Sequence, residues 1–309
     1  MPSVQIYRVR PTPAFILILA VLIAAGGCAT SPPRQPGPDL APAPLPKYKE
    51  GTTYVYSKGS WERVIDVMPG AVTWENNRGR VSTGPPDFTY KQSSWQLGSR
   101  QGVREFSPRE DVLAVTPTSL WPLRVGNAAG HSESGVWSEK DGPEKTYRTN
   151  WSCNVAGTER VSVMAGEFDT YAIECARKSG RRTWELKTWY YAPVVGHYVL
   201  VTSKYTYDRP SQRRELLAVI PPDDGISAAK RKRIAQSFQK TMEYNKSGQP
   251  LSFSDKKLTV KITPTDTFRI DNGTYCRRYV QKMSLPDRND TFYGLACRES
   301  NGAWVIPRR

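Results

Sequence analysis

Short segments in which apolar and polar residues alternate recur through most of this chain, and they constrain its fold more than any other feature. In "RTWELKTWYYAP", for example, Trp184 and Leu186 alternate with Glu185 and Lys187. Glycine, proline and asparagine interrupt such segments about every ten residues, whereas helical periodicity extends over only one long stretch. The pattern predicts a mainly β protein, an antiparallel open barrel or sandwich followed by a small α+β domain.

The first 28 residues resemble a bacterial lipoprotein signal peptide. Arg8 and Arg10 precede an uncharged apolar run of twelve residues, Ala14 to Ala25. That run is shorter than the roughly 20 residues of a membrane-spanning helix and suits a secretory signal. It ends in "AAGGC", which resembles a lipobox, and this resemblance implies cleavage before Cys28 and its acylation. Ordinary signal cleavage near Gly27 is the alternative, because Ala25 stands where a lipobox usually has leucine.

Residues 29–47, "ATSPPRQPGPDLAPAPLPK", contain seven prolines and few side chains that could pack. Proline-rich segments stay extended at about 3.1 Å per residue. The segment is therefore predicted to be a tether that holds the folded body up to roughly 55 Å from its anchor.

Four cysteines follow Cys28, an even number in a chain that carries an export signal. Disulfides are the usual state of cysteine outside the cytoplasm, and four cysteines allow three pairings. If Cys276 faces Cys297 across a hairpin, the turn falls in "LPDRND", which is rich in turn-forming residues. Cys153 and Cys175 would meet across a hairpin centred near Met164. The prediction is Cys153–Cys175 and Cys276–Cys297.

A domain boundary is predicted at "PPDDG", residues 221–225, which separates an all-β domain (48–220) from an α+β domain (221–309). The second domain opens with a helix that Asp224 or Ser227 can cap and Gly248 can end. Ile234, Phe238 and Met242 recur every four residues, so this helix should pack one face on the antiparallel sheet that follows.

Two parts of the chain resemble known families. In the all-β domain, "SLWPLRVGN", "VSVMAGEFDTYAIEC" and "TWYYAPVVGHYV" resemble periplasmic β-domains of unknown function. The C-terminal domain is similar to the bacterial surface antigens typified by 17 kDa outer-membrane lipoprotein antigens, through the combination C-R, A-C-R and G-x-W. The matching residues are Pro264, Phe268, Tyr275, Cys276, Arg277, Gly294, Ala296, Cys297, Arg298, Gly302 and Trp304. Arg278 stands where that family commonly has glutamate, and its upstream glycine-rich segment is replaced by the β-domain. The resemblance implies an envelope lipoprotein.

Positive charge is concentrated in the C-terminal domain. Residues 227–309 hold seventeen Lys and Arg against seven Asp and Glu, in a chain whose formal net charge is +15. "KRKR" opens the predicted helix, where cations oppose the helix dipole and therefore add nothing to its stability. The candidate anion-binding residues are Lys230, Arg231, Lys232, Arg233, Arg277 and Arg298. The alternative is a solvated basic face that serves solubility.

The sequence carries none of the short motifs that mark common catalytic or phosphate-binding sites. It has two histidines and no CxxC, so neither a metal site nor a cofactor is predicted, and we expect no enzymatic activity.

The predicted function is that of a lipid-anchored outer-membrane protein that binds or organises peptidoglycan, lipopolysaccharide or an envelope protein. Its body would lie in the periplasm or at the cell surface, and no nucleic acid is expected as a partner. The alternative is a periplasmic carrier that holds a lipid or acyl chain in a half-open barrel, which would require an apolar cavity.

Overall fold

The computed structural model describes residues 37–109, 119–180, 182–223, 225–255 and 257–307 of the 309-residue chain, which form seventeen strands and one α-helix. The signal segment and Cys28 lie outside these ranges. The first twelve strands are β1 (Thr53–Tyr56), β2 (Trp61–Met68), β3 (Ala71–Asn76), β4 (Val81–Gly84), β5 (Ser94–Leu97), β6 (Arg100–Pro108), β7 (Ala128–Glu139), β8 (Lys145–Val163), β9 (Gly166–Ser179), β10 (Arg182–Ala192), β11 (His197–Tyr205) and β12 (Gln212–Ile220). Then follow α1 (Ala228–Tyr244), β13 (Leu251–Asp255), β14 (Leu258–Arg269), β15 (Tyr275–Leu285), β16 (Arg288–Arg298) and β17 (Trp304–Val305).

Strands β1 to β12 form a closed barrel. Each strand pairs antiparallel with the next along the chain, and β1 pairs both with β2 and with β12, where Thr53 lies opposite Ile220. Closure satisfies the backbone groups that an edge strand would leave unpaired. The predicted mainly β class is confirmed, and the barrel is closed rather than open.

The remaining strands form an antiparallel meander, β13 to β17, that continues from the barrel. Ala218 of β12 pairs with Gly294 of β16, and one hydrophobic cluster includes both Tyr56 of the barrel and Ile262 of the meander. All of the described residues fall in one compact unit. The predicted boundary near residue 221 thus separates two parts of one folded body, because the meander shares its core with the barrel.

The second half of the predicted tether packs against the barrel. Ala43 and Leu123 exchange two backbone hydrogen bonds, at 3.2 and 2.7 Å, and the Tyr171 hydroxyl donates to the carbonyl oxygen of Leu40. A Cβ at Gly37 would lie 1.9 Å from the carbonyl oxygen of Thr158, so only glycine fits there. The folded body therefore begins by residue 37, eleven residues earlier than predicted. Proline has no N–H to donate, so this segment docks through its carbonyl oxygens and through the N–H of Ala43, a residue that is not proline.

Both predicted disulfides are confirmed. Cys276 lies opposite Cys297 in a hairpin whose register runs without interruption to Leu285 and Arg288, so the turn is Pro286–Asp287 as predicted. Cys153 lies opposite Cys175, and a bulge between Val155 and Gly157 shifts the register without ending the strand.

Helix α1 begins after Ser227, whose hydroxyl accepts a hydrogen bond from the backbone N–H of Lys230 at 3.4 Å. Asp224, the other predicted cap, lies outside the described residues. Met242 is fully buried and packs with Phe238 against Tyr279, Ala296 and Trp304 of the meander. Of the predicted apolar face, Met242 lies in the core, whereas Ile234 and Phe238 are half-buried.

Candidate functional site

The four cations at the start of α1 are only partly committed to intramolecular contacts. Lys230 forms an ion pair with Asp255 at 3.5 Å, and the Arg233 guanidinium lies 5.0 Å from the ring centre of Phe253. Arg231 donates to the carbonyl oxygen of Ile226 at 2.9 Å and lies 3.9 Å from Asp223, a carboxylate that is 75% exposed. Ion pairs as exposed as this one contribute little, so Arg231 remains available to an external anion.

Arg277 and Arg298, two of the predicted anion-binding residues, both make contacts within the chain. Arg277 is buried and donates to the carbonyl oxygens of Met242 and Asn245, at 2.6 and 2.7 Å, which ends α1. Arg298 forms a two-bond ion pair with Glu243 at 2.9 and 3.1 Å. Helix α1 is about 25 Å long, so the six predicted residues do not all form one site, although Arg231 and Arg298 both line the cleft described next.

A large cleft lies between α1, the outer wall of the barrel and the meander. Its volume is about 1490 Å³. Strand β1 contributes one wall because its residues alternate: Tyr54 and Tyr56 point into the barrel, whereas Val55 faces the cleft. The apolar residues that line it are Val55, Trp61, Met164, Leu217, Ile220, Ile226, Ile234, Ala235, Phe238, Ile270, Met283, Leu295, Val305 and Ile306.

The rim of the cleft carries charge of both signs. Arg63, Arg231 and Arg298 lie among the lining residues, together with Asp223 and Glu299. An apolar interior with a charged rim is the arrangement expected of a site for an amphipathic ligand.

Sequence reasoning missed this cleft, although β1 and β12 carry a signal for it. "TYVY" and "ELLAVI" are apolar on both faces, whereas a strand with one wet face alternates. One face of each of these strands packs into the barrel interior, and the other face lines the cleft.

The interior of the barrel is packed with rings. Tyr48, Trp74 and His197 have ring centres 4.8 to 5.6 Å apart, and Phe88 enters between Trp189 and Tyr191 at 5.5 and 5.7 Å. A pocket of about 160 Å³ remains among these rings. It is smaller than the roughly 300–1,000 Å³ of ordinary ligand pockets. The carrier alternative requires a larger cavity than this pocket provides.

A buried carboxylate inside the barrel is fully satisfied by its neighbours. Glu133 is not exposed and accepts hydrogen bonds from Lys91 at 3.2 Å, Tyr147 at 3.0 Å and Trp151 at 3.0 Å. Burial alone would raise the pKa of Glu133, but Lys91 and these hydrogen bonds lower it below its ordinary value. The group stays ionised and structural, because its oxygens are already occupied.

Within the described ranges, no group of three or more His, Cys, Asp and Glu side chains is arranged to hold a metal ion. In the same residues, α1 is neither long nor apolar enough to cross a bilayer.

Comparison with known proteins shows a sequence similarity in the C-terminal part of the chain. Residues 241–305 match the family model of the 17 kDa outer membrane surface antigen. The 17 kDa surface antigen of Rickettsia felis is 29% identical over 84 residues, which are 26% of this chain and 53% of that protein. The antigen of Rickettsia conorii is 38% identical over 45 residues, which are 15% of this chain and 28% of that protein.

The relationship thus covers the end of α1 and the whole meander, and the chain spans about half the length, or less, of these relatives. The predicted similarity of the C-terminal part to surface antigens is confirmed. Among solved structures, the hypothetical lipoprotein YmcC of Escherichia coli aligns with 58% of this chain and 90% of its own, at 10% identity and a TM-score of 0.33.

Proposed function

We propose that this chain is a non-catalytic lipoprotein of the outer membrane, of the surface-antigen type, that binds an anionic amphiphile of the envelope such as lipopolysaccharide. Lipid on Cys28 would anchor it. The observation that carries the proposal is the apolar cleft between α1, the barrel wall and the meander. The similarity of residues 241–305 to outer-membrane surface antigens supports the envelope location.

The size and lining of the cleft favour an acyl chain over a sugar polymer. Its volume of about 1490 Å³ exceeds that of ordinary small-molecule pockets, and its walls are largely aliphatic and aromatic. Peptidoglycan has no acyl chain to fill such a space, whereas lipopolysaccharide carries several. Burying each methylene of a chain contributes about 0.8 kcal/mol.

The anionic group would lie at the start of α1. Arg231 lines the cleft and its pairing with Asp223 is long and exposed, so a phosphate could replace that carboxylate. The positive end of the helix dipole favours an anion at the same place.

The carrier alternative now rests on this cleft rather than on the barrel. A carrier would release its lipid to a second membrane, whereas an anchored protein would retain it.

The experiment is a binding assay with lipopolysaccharide and, in parallel, purified peptidoglycan sacculi, on the chain from Ala29 onward. Ala235 is exposed on α1 and lines the cleft, so Ala235→Trp should fill part of the cleft without disturbing the core. Ala229→Trp, on the same helix and outside the cleft, is the matched control. We expect lipopolysaccharide to bind, Ala235→Trp to weaken binding about tenfold, and the control to bind like wild type.

The charge requirement is tested by Arg231→Gln against Lys232→Gln, which removes a neighbouring cation that does not line the cleft. Loss of affinity with the first variant alone supports the assigned site. Equal losses would favour a diffuse basic face, and sedimentation with sacculi alone would shift the proposal to peptidoglycan.

The anchor is tested separately by labelling cells with radioactive palmitate. Label should enter the wild-type protein and be absent from Cys28→Ala. Label in both proteins would place the acyl group elsewhere.

A further inference from the structure

The small pocket inside the barrel is lined in part by polar atoms that have no hydrogen-bond partner. It has a volume of about 160 Å³ and lies between the β3–β4 hairpin, the segment that follows β4, and strands β10 to β12. Its buried side includes Tyr48 and His197, and half-buried residues such as Asn76 and Gln92 lie toward its mouth.

Three side-chain nitrogens of the lining residues are buried and have no hydrogen-bond partner within the described structure: Arg80 Nε, Trp189 Nε1 and His197 Nε2. His197 is 1% exposed. Its Nδ1 lies 2.9 Å from the Tyr48 hydroxyl, and a hydroxyl that donates there leaves the ring proton on Nε2. Buried donors of this kind are ordinarily satisfied, so three around one pocket indicate a missing acceptor.

The two carboxylates that line the same pocket are already in use. Glu62 accepts from Arg214 at 2.9 Å and from the Tyr198 hydroxyl at 2.8 Å, and Glu75 pairs with Arg63. Arg80, by contrast, has no carboxylate partner among the described residues, and its guanidinium lies 4.7 Å from the ring centre of Trp95. The lining therefore combines an unpaired cation with open donors.

We propose that this pocket binds a small oxyanion, a phosphate or carboxylate group, through Arg80, Trp189 and His197. A volume of about 160 Å³ accommodates one such group with a few waters, each of which occupies about 30 Å³ in the liquid. The site is separate from the cleft and does not depend on the function proposed for the cleft. Either a free anion or the head group of a phospholipid supplies the same chemistry.

The test is titration calorimetry of the wild-type chain with inorganic phosphate at constant ionic strength, with chloride as the compensating anion. Arg80→Gln removes the cation at a half-buried position. Arg78→Gln is the matched control, because Arg78 is exposed on the same hairpin and does not line the pocket. We expect saturable binding of phosphate, weakened about tenfold in Arg80→Gln and unchanged in Arg78→Gln.

A second variant, Trp189→Phe, keeps the ring and removes only the donor, and it should weaken binding about threefold to tenfold. Acetate and short-chain phosphatidic acid in parallel titrations distinguish a carboxylate, a free phosphate and a lipid head group. No saturable binding of any of the three by the wild type, or equal losses in Arg80→Gln and Arg78→Gln, would overturn the proposal and assign the open donors to water. The affinity of Ala235→Trp for phosphate should match that of wild type, which separates this site from the cleft.

Discussion

Replacing Arg277 by methionine should strongly destabilise the fold, because this side chain ties the end of α1 to the meander. Its guanidinium donates to the carbonyl oxygens of Met242 and Asn245, at 2.6 and 2.7 Å, and to the Thr267 hydroxyl at 3.0 Å. The last carbonyls of a helix have no partner within the helix, so Arg277 supplies partners that the backbone cannot. Methionine has a similar length and no donor.

The expected loss follows from these contacts. Hydrogen bonds from a charged donor contribute about 1.5–3 kcal/mol each, so the two bonds to carbonyls represent about 3–6 kcal/mol. Removing the guanidinium also removes the cost of burying its charge, which is visible as a pKa of Arg277 lowered by burial. We expect a net loss of about 3 kcal/mol in the free energy of unfolding.

The assay is urea unfolding of the chain with both disulfides intact, followed by tryptophan fluorescence. Lys282→Met is the control, because Lys282 is exposed on the same strand. A loss below about 1 kcal/mol in Arg277→Met, or an equal loss in the control, would refute the capping role. An unchanged stability with impaired anion binding would instead support the role predicted for Arg277 from the sequence.

Two further predictions concern the barrel. Replacing Cys153 and Cys175 together by alanine should lower the free energy of unfolding by about 3 kcal/mol, because the disulfide closes a loop with a sequence separation of 22 residues. Urea unfolding measures this loss, and a value below about 1 kcal/mol would contradict the prediction. Burial lowers the pKa of His197 to about 3, from 6.5 in the unfolded chain, so the folded state binds fewer protons and loses stability as the pH falls below 6.5. Between pH 7 and 5 the free energy of unfolding should fall by about 2 kcal/mol because of His197. His197→Gln should remove that part of the pH dependence of unfolding. The same dependence of stability on pH in both proteins would show that the His197 side chain is solvated.

The parts of this structure that the sequence predicts are those fixed by nearby residues. The hairpin of Cys276 and Cys297 follows from two alternating strands and a turn at Pro286–Asp287, all within about twenty residues. Helix α1 follows from an apolar residue every fourth position and a serine cap. Local spacing determines both, because backbone periodicity places these side chains on one face whatever surrounds them.

Closure of the barrel is a different matter. It requires β1 to pair with β12, where Thr53 meets Ile220 across most of the chain. Alternation of apolar and polar residues shows that a strand has one buried face, but it does not determine which strand pairs with it. An open barrel, a sandwich and a closed barrel therefore have the same pattern. The docking of Ala43 on Leu123 also joins distant parts of the sequence, and proline content alone predicted a free tether there.

The candidate sites show the same division. The sequence by itself determined the cysteine pairs, the basic start of α1 and the likeness of the C-terminal part to surface antigens, and it predicts an export signal. Only the tertiary structure placed Arg277 at a helix end, formed a cleft beside Val55 and left one ring nitrogen of His197 without a partner. The reason is physical: whether a charge is free, a face is covered or a donor is satisfied depends on groups that folding brings together from distant parts of the chain.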